Sequence, residues 1–306
     1  MKPKYRTVVA GYATQQARDS LGPHIGDEIL SVDVESADNR LSRLMMRLAS
    51  STPADATRAA LDQLLNGGED TMAFLRVSDQ RGMSDITVAR HIVGTEFPQR
   101  TDGAAVQVLA ENIACIDFDR LEKRDVAAML STIAGTKAVV FDMRGYPRET
   151  AWEIAPQLAR SDGNMLYVVQ MYEIFASATP GVAKLRIEHP QNLANANGPA
   201  YGGRIPMLID DRTMSQAEHT PLLFESVARV TLIRSPTDGV DGDLRHVQLP
   251  GRITVPYSGF EVVRADGRPL QRVGLQPDVI VKPTLAGLRG GRDEVLQAAI
   301  ELLKSN

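Results

Sequence analysis

The sequence predicts an α/β protein in which a mostly parallel sheet forms the larger part and a small mixed unit precedes it. Two observations predict the sheet. Strand-like and helix-like segments alternate over residues 105–306, and the strand-like segments KAVVFD (137–142) and IPMLID (205–210) are apolar almost throughout. Continuous apolar runs are typical of strands buried on both faces, and their alternation with helices is typical of parallel sheets.

The elements follow in chain order from periodicity and turn residues. A Gly-Asp turn leads into the apolar run ILSVDV, and helical spacing over 41–65 is broken at SSTPAD. Thr52 can cap a second helix there, and Pro53 suits its first position. A polar segment, 94–104, is predicted to be a linker. The predicted strands are 5–12, 29–34, 72–77, 86–93, 113–118, 137–142, 165–176, 205–210 and 230–233, and the later helices are 124–133, 148–159, 216–227 and 292–304.

Composition excludes several classes of protein. The formal net charge is −4, which gives no sign of a nucleic-acid partner, since such proteins carry a basic patch. No run of 18 apolar residues is present, so no membrane span is expected. A single cysteine, Cys115, excludes an internal disulfide framework, and no Cys/His group has the spacing of a zinc site. We therefore expect neither a metal nor another cofactor.

The candidate chemistry lies around Ser215, which follows a buried strand at the predicted start of a helix. The first amides of a helix have no partner within it and can stabilise the oxyanion that forms when a hydroxyl attacks a carbonyl. The alternative is that Ser215 only caps the helix, with Glu218 completing a capping box, S-x-x-E. From this segment alone, the sequence favours the cap.

Four motifs in a fixed order change that balance. They are KAVVFDMRGYP (137–147), LIDDRTMSQAE (208–218), SPTDGVDGD (235–243) with LPGRITVP (249–256), and VGLQPDVIVKPT (273–284). The order resembles that of the tail-specific, or C-terminal processing, serine peptidases, in particular their tricorn-type and interphotoreceptor-retinoid-binding-protein-like branch. That family carries D-L-R-x-N-P-G-G, T-x-S-x-x-E, T-x-G, L-P-x-G and G-x-x-P-D in succession.

The resemblance covers about residues 105–306 and implies a crotonase-like peptidase core, here assigned to 98–306. It implies that Ser215 is the nucleophile of a serine endopeptidase. The backbone amides of Gln216 and Arg148 are the expected oxyanion hole. The resemblance implies a peptide or unfolded protein as substrate, with recognition through its C-terminus as one mode of binding.

The first part of the chain resembles a PDZ domain, the module that accompanies this core. The segment ARDSLGPHIGDEILSV (17–32) is similar to the PDZ pattern P-A-x-x-A-G-L-x-x-G-D-x-I-x-x-V. The resemblance implies a PDZ-like domain over 1–97, binding peptide C-termini by strand addition. Its first strand should precede Tyr5, so we expect a longer precursor, periplasmic or extracellular in a bacterium if that precursor carries a signal peptide. The alternative is a small α/β unit that merely shares a Gly-Asp turn.

The base that should activate the serine is not found where the family has it. Processing peptidases have a lysine after T-x-G, where this chain has Val240. The tricorn-type cores use a histidine, whose nearest equivalent here is Asp117, and a glutamate, which is replaced by Gln271. Arg148 and Glu149 replace the oxyanion-hole glycines, although a backbone amide serves whatever its side chain.

Three side chains remain as possible acids or bases: His219, one helical turn after Ser215; His246, after the glycine-rich stretch; and Asp117. A hydroxyl without an adjacent base is a weak nucleophile. The sequence therefore leaves two functions open. One is a serine peptidase, and the other is a catalytically impaired relative that binds peptides or acts as a scaffold.

Overall fold

The computed structural model describes residues 6–12, 22–68, 70–90, 103–159, 166–175, 185–193 and 201–305. Most of the predicted linker and residues 17–21 of the PDZ-like segment lie outside this part. The chain divides into two compact units, Met1–Arg100 with Lys282–Gln297, and Thr101–Val281 with Ala298–Asn306.

The first unit contains a four-stranded antiparallel sheet in the order β2-β1-β3-β4. Its elements are β1 (Glu28–Val32), β2 (Glu35–Ser36), α1 (Ala37–Met45), α2 (Pro53–Asp62), β3 (Met72–Ser78) and β4 (Met83–Ala89). The predicted Gly-Asp turn is confirmed, since Gly26 has a φ of 88° just before β1. The predicted cap is confirmed too: the Thr52 hydroxyl accepts a hydrogen bond from the Asp55 amide, and Pro53 begins α2.

The second unit is built on a six-stranded sheet in the order β15-β11-β10-β7-β6-β5, in which only the β5–β6 pair is antiparallel. The mostly parallel sheet that the sequence predicted is confirmed. The unit's strands are β5 (Val106–Leu109), β6 (Ile113–Asp117), β7 (Ala138–Asp142), β8 (Leu166–Phe175), β9 (Leu185–Leu193), β10 (Arg204–Ile209), β11 (Arg229–Arg234), β12 (Leu244–Leu249), β13 (Ile253–Ser258), β14 (Phe260–Arg264) and β15 (Val279–Ile280).

Helices α3 (Val126–Ala134), α4 (Ala151–Leu158) and α5 (Gln216–Glu225) bury apolar side chains in the same core cluster as the sheet. Phe141 of β7 packs edge-on against Phe118, with ring centroids 5.2 Å apart, and lies 4.9 Å from Phe224 of α5. A strand and a helix that share an aromatic cluster of this kind are held rigidly, because interdigitated rings resist displacement. The short helix α6 (Leu285–Arg289) and α7 (Glu294–Lys304) end the chain.

Two further β structures belong to the second unit. Strands β14, β8 and β9 form an antiparallel sheet, and β12 pairs with β13 as a hairpin. The sequence did not predict β9, because its polar residues and Pro190 carry little strand signal; proline is tolerated there since β9 lies at the sheet edge. Among the described residues, no helix combines the length and apolar character needed to cross a bilayer.

Candidate active site

The candidate site lies at the carboxyl edge of the six-stranded sheet. Strands β6, β7, β10 and β11 are mutually parallel, so the loops that follow them leave the sheet at the same edge. Ligands of open α/β sheets bind at this edge. The four loops carry most of the sequence-predicted site residues.

Ser215 lies at the junction between the loop after β10 and helix α5. Its φ is 51° and its ψ is −126°, a backbone conformation that residues other than glycine rarely adopt. The residue is half-buried. A serine on a sharp strand-to-helix turn with strained backbone is the arrangement in which hydrolases expose a nucleophile.

The capping box that the sequence favoured is wrong. The Ser215 side chain makes no cap hydrogen bond, because its backbone turns away from the extended conformation of an N-cap. Glu218, the other member of the box, is fully buried and binds a segment 19 to 22 residues further along. Its carboxylate accepts hydrogen bonds from the Thr237 hydroxyl, from the Gly239 amide at 2.8 Å and from the Val240 amide at 2.8 Å.

Burial raises the pKa of Glu218 from 4.5 to about 7. The three donors act in the opposite direction because they stabilise the carboxylate, and the nearby charge of Asp241 adds to the rise. The side chain therefore titrates close to neutral pH while it holds the loop after β11. In the motif T-x-S-x-x-E, the glutamate is thus an anchor for the T-x-G segment.

Thr213, the threonine of the same motif, links three loops. It is buried, and its hydroxyl donates to the Met143 carbonyl at 3.0 Å and accepts from the Asp210 amide at 2.9 Å. Its own carbonyl accepts from the Asp238 amide at 3.3 Å. The loops after β7, β10 and β11 are therefore tied together two residues before Ser215.

The T-x-G and G-x-x-P-D segments meet backbone to backbone. Gly239 and Gly274 have φ values of 71° and 69°, and a Cβ on Gly274 would lie 2.6 Å from the Thr237 carbonyl oxygen. Thr237 exchanges hydrogen bonds with Leu275, and the Asp278 carboxylate accepts from the Leu232 amide of β11 at 2.8 Å. Only glycine allows this close approach, which explains why both motifs contain one.

Two aspartate–arginine forks close the ends of β7 and β10. Asp142 binds the Arg144 amide and guanidinium, and Asp210 binds those of Arg212 in the same i, i+2 pattern. The carboxylate of Asp210 also binds Arg234 at the end of β11. Bidentate pairs of this kind fix the direction in which a chain leaves a strand. The D-x-R motif thus stabilises the turn that follows each of these two strands.

The two amides expected to form an oxyanion hole lie on loops of this edge. Gln216 is the first residue of α5, and Arg148 lies in the loop after β7, which Thr213 ties to the Ser215 loop. Within the described part of the chain, neither amide donates to a protein acceptor. The Arg148 side chain points elsewhere, to the Asp119 carbonyl and Glu122. Glu149, in the place of a family glycine, keeps a φ of 57°.

Two of the three base candidates are placed unfavourably for proton transfer. Asp117 is buried at the end of β6, where its carboxylate binds Arg120 and the Asp119 amide. Its carboxylate oxygens are therefore already engaged by protein donors. His246 is exposed on strand β12 of the hairpin, opposite Pro256.

His219, the third candidate, is buried within a network of side chains. Its Nδ1 lies 2.9 Å from the Asp241 carboxylate, its Nε2 lies 2.5 Å from the Gln191 side-chain oxygen, and its ring stacks on Trp152 at 5.8 Å between centroids. Sequence reasoning missed these three partners. Only Asp241 had a usable signal, since it directly follows Val240, the position of the family lysine.

The remaining departure, Gln271, has a structural role. Its amide nitrogen donates to the Asp241 carbonyl at 2.6 Å and the Phe260 carbonyl at 2.8 Å, and its oxygen accepts from the Val262 amide at 2.7 Å. A glutamate could not donate in this way. Gln271 thus fixes the backbone of Asp241. The described residues contain no group of three or more metal-ligating side chains.

The comparisons with known proteins identify the family of the chain. The family model "Peptidase family S41" matches residues 112–281. No match was found among curated protein sequences. Mature CPAF complexed with lactacystin is similar in structure, with a TM-score of 0.68 and 14% identity over 92% of this chain and 79% of that one. A CPAF mutant gives 0.71 and 15% over 94% and 78%.

A candidate peptidase of Parabacteroides merdae has a TM-score of 0.55 and 16% identity, over 87% of this chain and 88% of that one. Such low identities establish similarity of fold. The family model, by contrast, spans more than half of the chain, including Ser215, Glu218 and Gly274. The chain therefore belongs to peptidase family S41 and is a serine-type peptidase of the tail-specific kind.

Proposed function

We propose that this peptidase hydrolyses peptide bonds with Ser215 as its nucleophile. The observation that carries the proposal is the strained backbone of Ser215, with a φ of 51° and a ψ of −126°, at a strand-to-helix turn. Strain of this kind costs about 1–3 kcal/mol and persists where surrounding contacts enforce it. Here Thr213 and Glu218, on either side of Ser215, supply those contacts.

In the proposed reaction, the Ser215 oxygen bonds to the substrate carbonyl carbon and gives up its proton to a base. The electron pair of the carbonyl moves to its oxygen, which the amides of Gln216 and Arg148 stabilise. When this tetrahedral intermediate collapses, the carbon–nitrogen bond breaks and the protonated base delivers its proton to the leaving amine. A water molecule then releases the acyl group by the same steps, which returns the serine.

We also assign residues 98–306 as a crotonase-like core and 1–97 as a PDZ-like domain. The order of the four motifs supports the first assignment, and the Gly26 turn leading into β1 supports the second. A PDZ-like sheet edge binds an extended peptide by strand addition and holds its terminal carboxylate. The proposed substrate is thus a peptide or unfolded protein with a free C-terminus.

Hydrolysis of matched peptides tests this function. The full chain is incubated with one peptide that has a free C-terminal carboxylate and with the same peptide amidated. We expect faster cleavage of the free acid and complete loss in Ser215→Ala. Ser226→Ala is the matched control, because Ser226 ends the same helix and its hydroxyl donates to the Leu223 carbonyl of that helix. Equal cleavage by Ser215→Ala would exclude this serine as the nucleophile.

A second candidate function is favoured by Val240. Valine cannot accept a proton, so a chain that relied on the family lysine would be an impaired peptidase that binds peptides without cutting them. In that case the wild type binds the free-acid peptide but does not cleave it, and Val240→Lys introduces cleavage. If the wild type cleaves and Val240→Lys adds nothing, the scaffold function is excluded.

A further inference from the structure

We infer that His219 and Asp241 form a relocated base for Ser215, with His219 as the catalytic residue and Asp241 as the residue that positions it. The inference rests on the proposed role of Ser215. His219 would supply the proton acceptor that is missing because Val240 stands in the place of the family lysine and Gln271 in that of the glutamate.

The carboxylate of Asp241 orients the His219 ring. A carboxylate only accepts hydrogen bonds, so the 2.9 Å contact with Asp241 places a proton on Nδ1. Nε2 is then the atom that can take a proton, as in a serine–histidine–aspartate triad, once the Gln191 oxygen no longer faces it. Both His219 and Asp241 are buried, at 7% and 6% exposure, so water does not weaken their pairing.

Asp241 is itself held rigidly. Its other carboxylate oxygen accepts from the Gly242 amide at 2.8 Å, and its carbonyl accepts from Gln271 at 2.6 Å. A Cβ on Gly242 would lie 2.2 Å from the Phe260 carbonyl oxygen, so the chain is closely packed at this point. Asp241 is therefore held on both backbone and side chain, as a residue that orients a base must be.

His219 lies close to Ser215 along the chain. The His219 amide donates to the Ser215 carbonyl at 3.0 Å, which places the two residues one helical turn apart. His219 therefore projects from the first turn of the helix that Ser215 precedes. Asp241 follows Val240, whose amide is bound by Glu218 of the same helix. The acid–histidine pair thus belongs to the loop and helix that the family uses for its lysine and serine.

The side-chain oxygen of Gln191 lies 2.5 Å from His219 Nε2 in this structure. A side-chain amide can present either its oxygen or its nitrogen, so it can bind His219 whether Nε2 carries a proton or not. We place Gln191 as the group that the Ser215 hydroxyl, or one bridging water, replaces at Nε2 when substrate is bound. Catalytic hydrogen bonds are often completed only in the substrate complex.

The chemistry then balances within the chain. As the Ser215 oxygen forms its bond to the carbonyl carbon, its proton moves to Nε2 and gives an imidazolium paired with Asp241. When the carbon–nitrogen bond breaks, the same proton passes to the amine, and His219 is neutral again. Among the described charged side chains, Asp241 is the one that contacts the ring.

The rate at which a fluorophosphonate probe labels the full chain tests the inference. We expect His219→Ala and Asp241→Asn to lower the maximal rate constant about 100-fold or more, since a general base contributes about 100- to 10,000-fold, with little change in the probe concentration that gives half of that rate constant. Imidazole should restore part of the rate to His219→Ala but none to Ser215→Ala. Gln191→Ala should label at least as fast as the wild type. His246→Ala is the matched histidine control and should label normally.

Circular dichroism and thermal unfolding establish that each variant is folded, and the conservative variant Asp241→Glu should recover part of the lost rate. Labelling of folded His219→Ala or Asp241→Asn within threefold of wild type overturns the relocated base while Ser215 remains the nucleophile. Equal losses in Gln191→Ala and His219→Ala overturn it as well, because they indicate a structural network. A wild type that is not labelled contradicts both this inference and the proposed function.

Discussion

The two sides of the candidate site differ in how far they follow the family pattern. The side that holds the backbone keeps its motif residues: Thr213, Glu218, Gly239 and Gly274 all make contacts that fix one loop against another. The side that should supply the base does not, since Val240 replaces the lysine and Gln271 the glutamate. Loop geometry requires many mutual contacts, whereas a proton acceptor is a single side chain that can come from another position. The predictions below test this difference.

The largest expected effect is that of removing the buried anchor. Glu218→Ala leaves one hydroxyl and two amide donors buried without their acceptor, which we expect to lower the free energy of unfolding by about 4 kcal/mol. Glu225→Ala is the matched control on the same helix, because Glu225 is partly exposed and binds one side chain, Arg264, which also lies 4.0 Å from Asp266; the loss should be smaller, about 1–2 kcal/mol.

Urea unfolding followed by the fluorescence of Trp152, the only tryptophan of the chain, measures both values. Similar losses for the two glutamates would show that Glu218 does not anchor the loop.

The same carboxyl group predicts a pH dependence of stability. Its pKa is about 7 in the folded chain and near 4.5 when unfolded, so between these values the folded chain binds more protons. The free energy of unfolding should therefore fall as the pH rises through this window, on the order of 2 to 3 kcal/mol between about pH 5 and 8. Glu218→Gln cannot titrate, so its unfolding should lack this part of the decline. An identical decline in wild type and Glu218→Gln would contradict the prediction.

A smaller effect is expected where two glycines share a positive φ but differ in surroundings. A Cβ on Gly274 meets the Thr237 carbonyl oxygen at 2.6 Å, whereas a Cβ on Gly251, in the β12–β13 turn, meets nothing within 4 Å. Both alanine variants pay about 1 kcal/mol for the backbone conformation. Gly274→Ala should lose about 2 kcal/mol more because of the clash. Equal losses in urea unfolding would mean that the T-x-G and G-x-x-P-D segments are not closely packed.

Much of the fold was predictable because its signals are local. The apolar runs that became β7 and β10 are of strand length and fit a sheet covered on both faces. Thr52 and Pro53 specify a helix start through contacts within four residues. Strand β9 was missed because its order depends on pairing with β8, and the sequence of a polar edge strand contains little of that information.

The site was predictable in part for the same reason. The motif order indicated Ser215, but the pattern S-x-x-E also fits a capping box, and nothing local distinguishes the two. What decides between them is the partner of Glu218, which lies about twenty residues away in Thr237 and Gly239. Contacts of His219 with Asp241 and Gln191 are likewise long-range, so the sequence alone left three bases open.

The central claim is that the hydroxyl at the strained turn is the one activated nucleophile of this peptidase. Mass spectrometry of peptides from the fluorophosphonate-treated full chain, at neutral pH, tests it most directly. We predict a single adduct on Ser215 in the wild type and none in Ser215→Ala, with normal labelling in Ser226→Ala. An adduct on another residue, or the same adduct yield in Ser215→Ala, would contradict the claim.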